Sequence, residues 1–447
     1  MTEKAKNPWF MIALALVGLM LSGQVVATGY EMNLRLIFYD GLLAAVIILV
    51  LLNRIGSLPA GVVIGINTLI LFSVSLPLVD LFYRAPGIYG QDALRKMSQA
   101  IKEKAYSYEV ARGNPVLFRN WWRYYSKEWF QMRSEVQMPD PNGVLPFRLK
   151  PNSRADFINC LVRINSLGFR GREFKRDKGD HYRIVALGES TTMGATIQAS
   201  DKPWPNVLEQ MIRSRLKCSK PVEVINGGVW AYTLEDNLNR FKQDILPLKP
   251  DMIISYHGYN GFYFLDRALA PIRIGDLPLF EDRPSYLLAQ AEYSLKLWNF
   301  RRKYTKNLVE PLDLDAFKEK VVHSEYAHLY EELMALCRTN KIKLVIANFN
   351  MAANENSPED VVQFYSGGFP TVSTDIKANL LHNYMLTQIV HQNDSLRLID
   401  TSRGLDGCPD MYIDLVHFTQ EGRNQLAKNI FEGIKDMLPQ EEKGGKS

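Results

Sequence analysis

A serine, a carboxylate with an imidazole three residues after it, and an amide beside a glycine are the groups in this chain suited to moving an acyl group. Gly188-Glu189-Ser190 closes an apolar run at 182–187 and leads into a Thr-Thr-Met-Gly turn. A serine so placed stands at the carboxyl edge of a sheet, where its own N–H can line an oxyanion site. Asp414-Leu-Val-His417 precedes Phe418-Thr419-Gln420-Glu421-Gly422 and a final amphipathic stretch. That spacing on a tight loop lets the carboxylate accept from Nδ1–H and leaves Nε2 free as base for a serine. Of seven histidines, only His417 has such a partner ahead of a last helix. His181 begins a strand, and His323, His328, His382 and His391 fall on predicted helix surfaces, so these five read as structural or solvated. Gly258-Tyr259-Asn260 follows a further apolar run, where the Asn260 amide is placed to donate to a developing oxyanion and glycine permits close backbone approach. His257 beside it reads as a packing residue. Asn226-Gly-Gly-Val-Trp-Ala231 is a turn whose N–H groups supply another donor.

These loops need a frame that brings them to one edge. Short β-rich runs at 182–187, 222–226, 251–256, 342–348 and 396–400 alternate with helical patterns near 203–217, 234–245, 324–339, 375–393 and 419–437. Such alternation builds right-handed crossovers and a parallel sheet covered on both faces, and ligands bind such sheets at the carboxyl ends of the strands. The predicted class is therefore α/β, a three-layer sandwich with a five-stranded parallel sheet over 181–437. Residues 265–322 interrupt the crossover after the third strand. They carry a predicted helix near 285–304 and are expected to form a cap, a membrane-surface contact or one wall of the substrate cleft. Residues 84–180 read as a juxtamembrane connector followed by hairpins, and 438–447 as a disordered tail.

The set Gly188-Glu189-Ser190, Asn226 to Ala231, Gly258-Tyr259-Asn260 and Asp414-Leu-Val-His417 resembles the four sequence blocks of SGNH/GDSL hydrolases, over more than half the chain. Asn165-Ser-Leu-Gly-Phe-Arg-Gly171 looks like a segment found ahead of that domain in bacterial membrane-linked members. The resemblance implies a sheet of flavodoxin-like type, with Ser190 as nucleophile, His417 as base and Asp414 as its orienter. It implies the Ser190 and Ala231 N–H groups and the Asn260 side chain as oxyanion donors, with Gly188, Glu189 and Gly258 supporting. Glu189 stands where the family has Asp, and Ala231 where it has Gly; alanine serves if its backbone stays in an allowed region. An α/β-hydrolase reading lacks its G-x-S-x-G elbow, since Thr192 takes the last glycine position.

Composition sets the surroundings. Apolar runs at 9–28, 36–52 and 60–82 are each near the ~20 residues a membrane span needs, and the second carries Asp40. Lys4, Lys6 and Arg54 inside, with Arg35 and Arg84 outside, put the chain after residue 84 on the outer face of a bacterial plasma membrane. Reading the first run as a signal peptide cleaved near Val25-Val26-Ala27 leaves that side unchanged. The net charge of +5 comes from 53 basic and 48 acidic residues spread along the chain, which excludes a basic nucleic-acid surface. No His/Asp/Glu cluster has metal-ligand spacing, and neither a metal nor a cofactor is expected. Cys160, Cys218, Cys337 and Cys408 form no CxxC pair, leaving disulfides open. The expected function is a membrane-anchored esterase acting on acylated envelope glycans or lipids. The alternatives are an O-acyltransferase working with a separate membrane-bound O-acyltransferase partner, and a catalytically silent glycan-binding or assembly subunit.

Overall fold

The structure, a computed structural model, describes residues 108, 129, 132–157, 160–194, 202–267, 270, 291–296, 298–300, 302–303, 314–366 and 371–441 of the 447. The three apolar runs, most of the 84–140 connector and most of the 265–322 insertion lie outside these residues. Among the described residues, no helix is long and apolar enough to cross a membrane. The chain divides into two compact units. Of the first, Met1–Met97 with Pro278–Asn299, only a helical stretch within 291–299 is described, with Leu295 and Trp298 exposed. The second, Ser98–Leu277 with Phe300–Ser447, holds everything below.

Two antiparallel hairpins come first. Strand β1 (Gln137–Met138) pairs with β2 (Arg148–Leu149), and β3 (Arg154–Phe157) with β4 (Cys160–Arg163). Then follow β5 (Tyr182–Gly188), β6 (Val222–Asn226), β7 (Met252–Tyr256), β8 (Lys343–Ala347) and β9 (Arg397–Ile399), all parallel, in the spatial order β6-β5-β7-β8-β9. This is the doubly wound order, and the five predicted strands match within a residue or two at each end. Ile184, Val185, Ala186 and Leu187 are wholly buried in succession, as are Met252, Ile253 and Ile254. A parallel strand covered on both faces must be apolar at every position, not at alternate ones. Burial stabilises by roughly 1.5–3 kcal/mol per large aliphatic side chain.

The helices of this unit with defined ends include α1 (Ser190–Met193), α2 (Trp204–Arg215), α3 (Leu234–Arg240), α4 (Leu314–Val321), α5 (Glu325–Thr339), α6 (Glu359–Ser366), α7 (Val372–His391) and α8 (Gln420–Ile434). Thr233 starts α3 with a capping box: its hydroxyl accepts from Asp236 N–H at 3.3 Å, while the Asp236 carboxylate accepts from Thr233 N–H at 2.8 Å. Beyond Arg240 the helix widens into a π turn over Phe241–Ile245, where the sequence pattern predicts uninterrupted α-helix. Helices α4 and α6 were not among the predicted elements.

Two further details, at His382 and at the C-terminal tail, differ from the sequence reading. His382 is wholly buried, not on a helix surface, because α7 is covered on more than one side. Residues 438–441 pack as part of the domain: Ser219 N–H donates to Pro439 O at 2.8 Å, Glu441 N–H donates to Lys217 O at 3.1 Å, and Leu438 is buried. The 164–171 segment joins the sheet edge through a bridge from Arg170 to Asn226. Buried Arg240 clamps it, stacking over the Phe169 ring at 4.5 Å and donating to Gly227 O at 2.6 Å and Gly168 O at 3.3 Å. Cys218, Cys337 and Cys408 are free thiols.

Candidate active site

The site sits where β5, β6 and β7 end. Ser190 opens α1 two residues past the end of β5, and the turn after it closes at Gly194, whose left-handed φ of 66° lets its N–H reach Ser190 O at 2.8 Å. Asn226 at the end of β6 binds this turn to its neighbour. Its amide donates to Thr192 O at 3.0 Å, and its carbonyl accepts from Gly228 N–H at 3.0 Å. A Cβ on Gly228 would fall 2.2 Å from the Met193 nitrogen, so only glycine lets these loops meet.

The 411–419 segment doubles back on itself. Ile413 N–H donates to His417 O at 2.8 Å and Thr419 N–H to Met411 O at 2.9 Å, and Thr419 then caps α8 by accepting from Gly422 N–H at 3.2 Å. Within this turn Asp414 Oδ1 accepts from the N–H groups of Val416 and His417 at 2.9 and 2.8 Å. Its second oxygen meets His417 Nδ1 at 2.7 Å, and His417 Nε2 lies 2.8 Å from Ser190 Oγ. Burial raises the Asp414 carboxyl, but the neighbouring His417 and these hydrogen bonds outweigh it and hold the group below its ordinary value, so it is ionised. The imidazole is thereby fixed with Nδ1 as donor and Nε2 as acceptor.

Two of the oxyanion donors expected from sequence, Ala231 and Asn260, are carried by the other two loops. Ala231 ends the β6 loop at a φ of 58°, left-handed for a residue with a side chain. Among the described residues, no acceptor meets the backbone N–H of Ser190 or of Ala231. Asn260, 7% exposed, uses its amide to donate to Tyr232 O at 2.9 Å, which leaves the second N–H of that amide. Glu189, buried beside the nucleophile, accepts from Gly258 N–H and Asn260 N–H, each at 3.1 Å. Burial pushes its carboxyl up to about 8 against those two donors. The fourfold set predicted from sequence is thus brought together, with Gly188 and Gly258 in its walls. A Cβ on Gly188 would fall 2.1 Å from Thr192 Oγ1, and one on Gly258 2.2 Å from Phe349 Cγ.

Sequence reasoning did not single out Tyr259 and Asp375 as a pair. Buried Asp375 lies near Tyr259 and accepts from the Thr371 hydroxyl at 2.7 Å. An acid in the first turn of a helix reads as a cap, and nothing in local spacing links it to a tyrosine far earlier in the chain. A crevice of about 190 Å³ lies elsewhere, lined by Arg170, Arg172, Glu209, Arg213 and Glu223 among others, with no triad residue. Its charges face one another: Glu209 pairs with Arg172 at 2.9 Å and with Arg213 at 2.6 Å.

A scan against protein-family models finds no match, and neither does a search of curated proteins. Solved structures are similar to this chain along nearly their whole length. A GDSL-like lipase from Bacteroides thetaiotaomicron is 16% identical, with 57% of this chain and 89% of that one covered and a TM-score of 0.32. A lipase/acylhydrolase from Enterococcus faecalis is 18% identical over 58% and 98%, with a TM-score of 0.33. An acetyl xylan esterase is 13% identical over 56% and 99%, with a TM-score of 0.34. At such scores the functional reading rests on the geometry of the site itself.

Proposed function

We propose that this chain is a serine esterase of the SGNH/GDSL type, held at the outer face of a bacterial membrane by its N-terminal apolar runs and acting on ester-linked acyl groups of envelope glycans or lipids. The observation that carries the reading is the unbroken line from Ser190 Oγ to His417 at 2.8 Å and from His417 to Asp414 at 2.7 Å. A binding module has no use for a base so aligned on a strand-end serine. The anchoring rests on the three apolar runs and their flanking charges. The envelope substrate follows from the anchoring, since a tethered domain meets the esters on its own side.

In this mechanism Ser190 Oγ attacks the ester carbonyl carbon while its proton passes to His417 Nε2, and Asp414 stabilises the imidazolium that forms. The negative charge on the former carbonyl oxygen is met by the N–H groups of Ser190 and Ala231 and by the Asn260 amide. Collapse breaks the bond to the alcohol oxygen, which leaves with the proton from His417. Water then gives a proton to His417 and attacks the acyl-enzyme, releasing the acid and restoring the serine.

The test uses the full chain in detergent with a fluorophosphonate probe and p-nitrophenyl acetate. Wild type is expected to label and turn over, and Ser190→Ala to do neither while keeping its thermal midpoint. A folded wild type that does not label moves the assignment to the silent binding subunit. Product analysis with a glycan hydroxyl acceptor separates free acid, expected here, from acyl transfer.

A further inference from the structure

Hairpin β1–β2 precedes the sheet in the chain, yet it grips the loop on which two oxyanion donors of the proposed mechanism depend. Phe147, the residue before β2, stacks its ring on Trp230 with centroids 5.9 Å apart and planes 22° apart, and meets the Tyr232 ring edge-on at 5.2 Å. Trp230 and Tyr232, both buried, flank Ala231 in the chain. The Tyr232 hydroxyl donates to Phe147 O. At the other end of the same residue, Tyr232 O accepts from the Asn260 amide at 2.9 Å. The hairpin is in turn fastened to the domain. Arg148 Nη1 donates to the two Asp244 oxygens in the π turn at 3.0 and 2.8 Å, and Asp140, paired with the same guanidinium, accepts from Val144 N–H and Leu145 N–H at 2.9 Å each. Single residues thus link the π turn to the hairpin, the hairpin to Tyr232, and Tyr232 to the Asn260 amide.

An oxyanion donor works only if its N–H is aimed before charge develops, because reorganisation during reaction cancels the gain. The Asn260 amide is planar, so holding one of its N–H groups on Tyr232 O fixes the direction of the second. The Asn260 backbone is held separately, by Glu189 beside the nucleophile. What remains to be set is the place of the Tyr232 carbonyl, and the bond from the Tyr232 hydroxyl to Phe147 O sets it from the far end of a buried ring. We infer that Tyr232 is a positioning residue that aims the Asn260 amide at the oxyanion, with hairpin β1–β2 as its support; the inference rests on the esterase reading. Its effect belongs to the transition state and not to ground-state binding, so it appears in kcat.

The experiment measures p-nitrophenyl acetate kinetics of the full chain in detergent, with kcat expressed per site titrated by the fluorophosphonate probe so that unfolded protein is not counted. The variants are Tyr232→Phe, Arg148→Met, Asn260→Ala and the Tyr232→Phe/Asn260→Ala double. Asn260→Ala is expected to lower kcat by about 10²-fold. Tyr232→Phe keeps the ring and loses only its tie to Phe147 O, and is expected to lower kcat by about tenfold with KM unchanged, since a donor moved out of line loses less than a donor removed. Arg148→Met, which unties the hairpin from Asp244, lowers kcat in the same way. The double variant is no slower than Asn260→Ala alone, because Tyr232 acts only through that amide. Multiplying effects in the double variant, a change in KM in place of kcat, or full activity in Tyr232→Phe overturns the inference. If Tyr232→Phe yields no folded protein, Arg148→Met decides by the same criteria, alone and combined with Asn260→Ala. A wild type without Ser190-dependent turnover overturns the esterase reading itself, whereas an active enzyme without coupling overturns the brace alone.

Discussion

Ala231 shows how one side chain sits against the demands of its backbone. The loop after β6 must turn its N–H toward the serine, and it does so at a φ of 58°, where a Cβ crowds the following carbonyl at a cost of roughly 1–2 kcal/mol. Glycine at that position escapes the crowding but gives up about 0.5–1 kcal/mol of backbone entropy. Ala231→Gly is therefore expected to stabilise the fold by about 0.5–1 kcal/mol, with kcat within about twofold of wild type because the N–H is unchanged in kind. Urea melts and p-nitrophenyl acetate turnover check both halves, and a lower midpoint in the glycine variant would show that the loop is not strained there. The neighbouring departure, Glu189, also has an explanation in its contacts: its carboxyl group reaches the N–H groups of both Gly258 and Asn260. The serine, the Asp-x-x-His turn and the amide were legible in the sequence because each is a short-range pattern. The nearness of Tyr259 and Asp375 was not, because it is made by folding.

At the scale of elements, the two ends of β5 do separate work. Its carboxyl end presents Ser190, while its amino end carries Arg183, wholly buried, which donates to Glu223 at 2.7 Å, Leu248 O at 2.8 Å, Arg176 O at 2.9 Å and Lys175 O at 2.7 Å. This guanidinium joins two strands to the incoming 175–176 segment far from the chemistry. Arg183→Met leaves Glu223 buried without its closest cation and is expected to cost about 3–5 kcal/mol. Adding Glu223→Leu should recover part of that loss. Denaturant midpoints test the pair, and kcat of the folded fraction should hold; a folded Arg183→Met that loses kcat would contradict the separation of the two ends. The strands themselves were readable because a parallel strand buried on both faces is an unbroken apolar run, and the longer helices because their spacing persists over several turns. What stayed hidden depends on neighbours. The π turn at Phe241–Ile245 follows from how α3 packs, α4 and α6 are only 8 residues each, and His382 is buried because α7 meets aromatic rings on the side the sequence assigns to solvent.

Across the whole domain, the buried titratable groups gather around one loop, and their signs set how stability varies with pH. Burial raises Glu189 to about 8 and Asp375 to about 7, from ordinary values of 4.5 and 3.8. Burial lowers His257 and His382 to about 3 from 6.5. Between 4.5 and 8 the folded state holds the Glu189 proton that the unfolded chain releases, so stability falls as pH rises; Asp375 does the same between 3.8 and 7. Between 3 and 6.5 the unfolded chain takes up protons that the buried histidines refuse, so stability falls as pH drops. The slopes oppose one another from 3.8 to 6.5, most fully from 4.5 where both acids contribute, and one sign acts alone outside that range. Asp414, held below its ordinary value, adds to the acid-side loss. The denaturant midpoint, followed from acid to alkaline buffer, is therefore expected to form a plateau in that middle window and to decline toward pH 8. Glu189→Gln should flatten the alkaline decline because the amide cannot ionise, whatever it does to activity. A midpoint that climbs from 6.5 to 8 in the wild type would mean that Glu189 and Asp375 are already ionised in the folded protein, with the loop held by full negative charges.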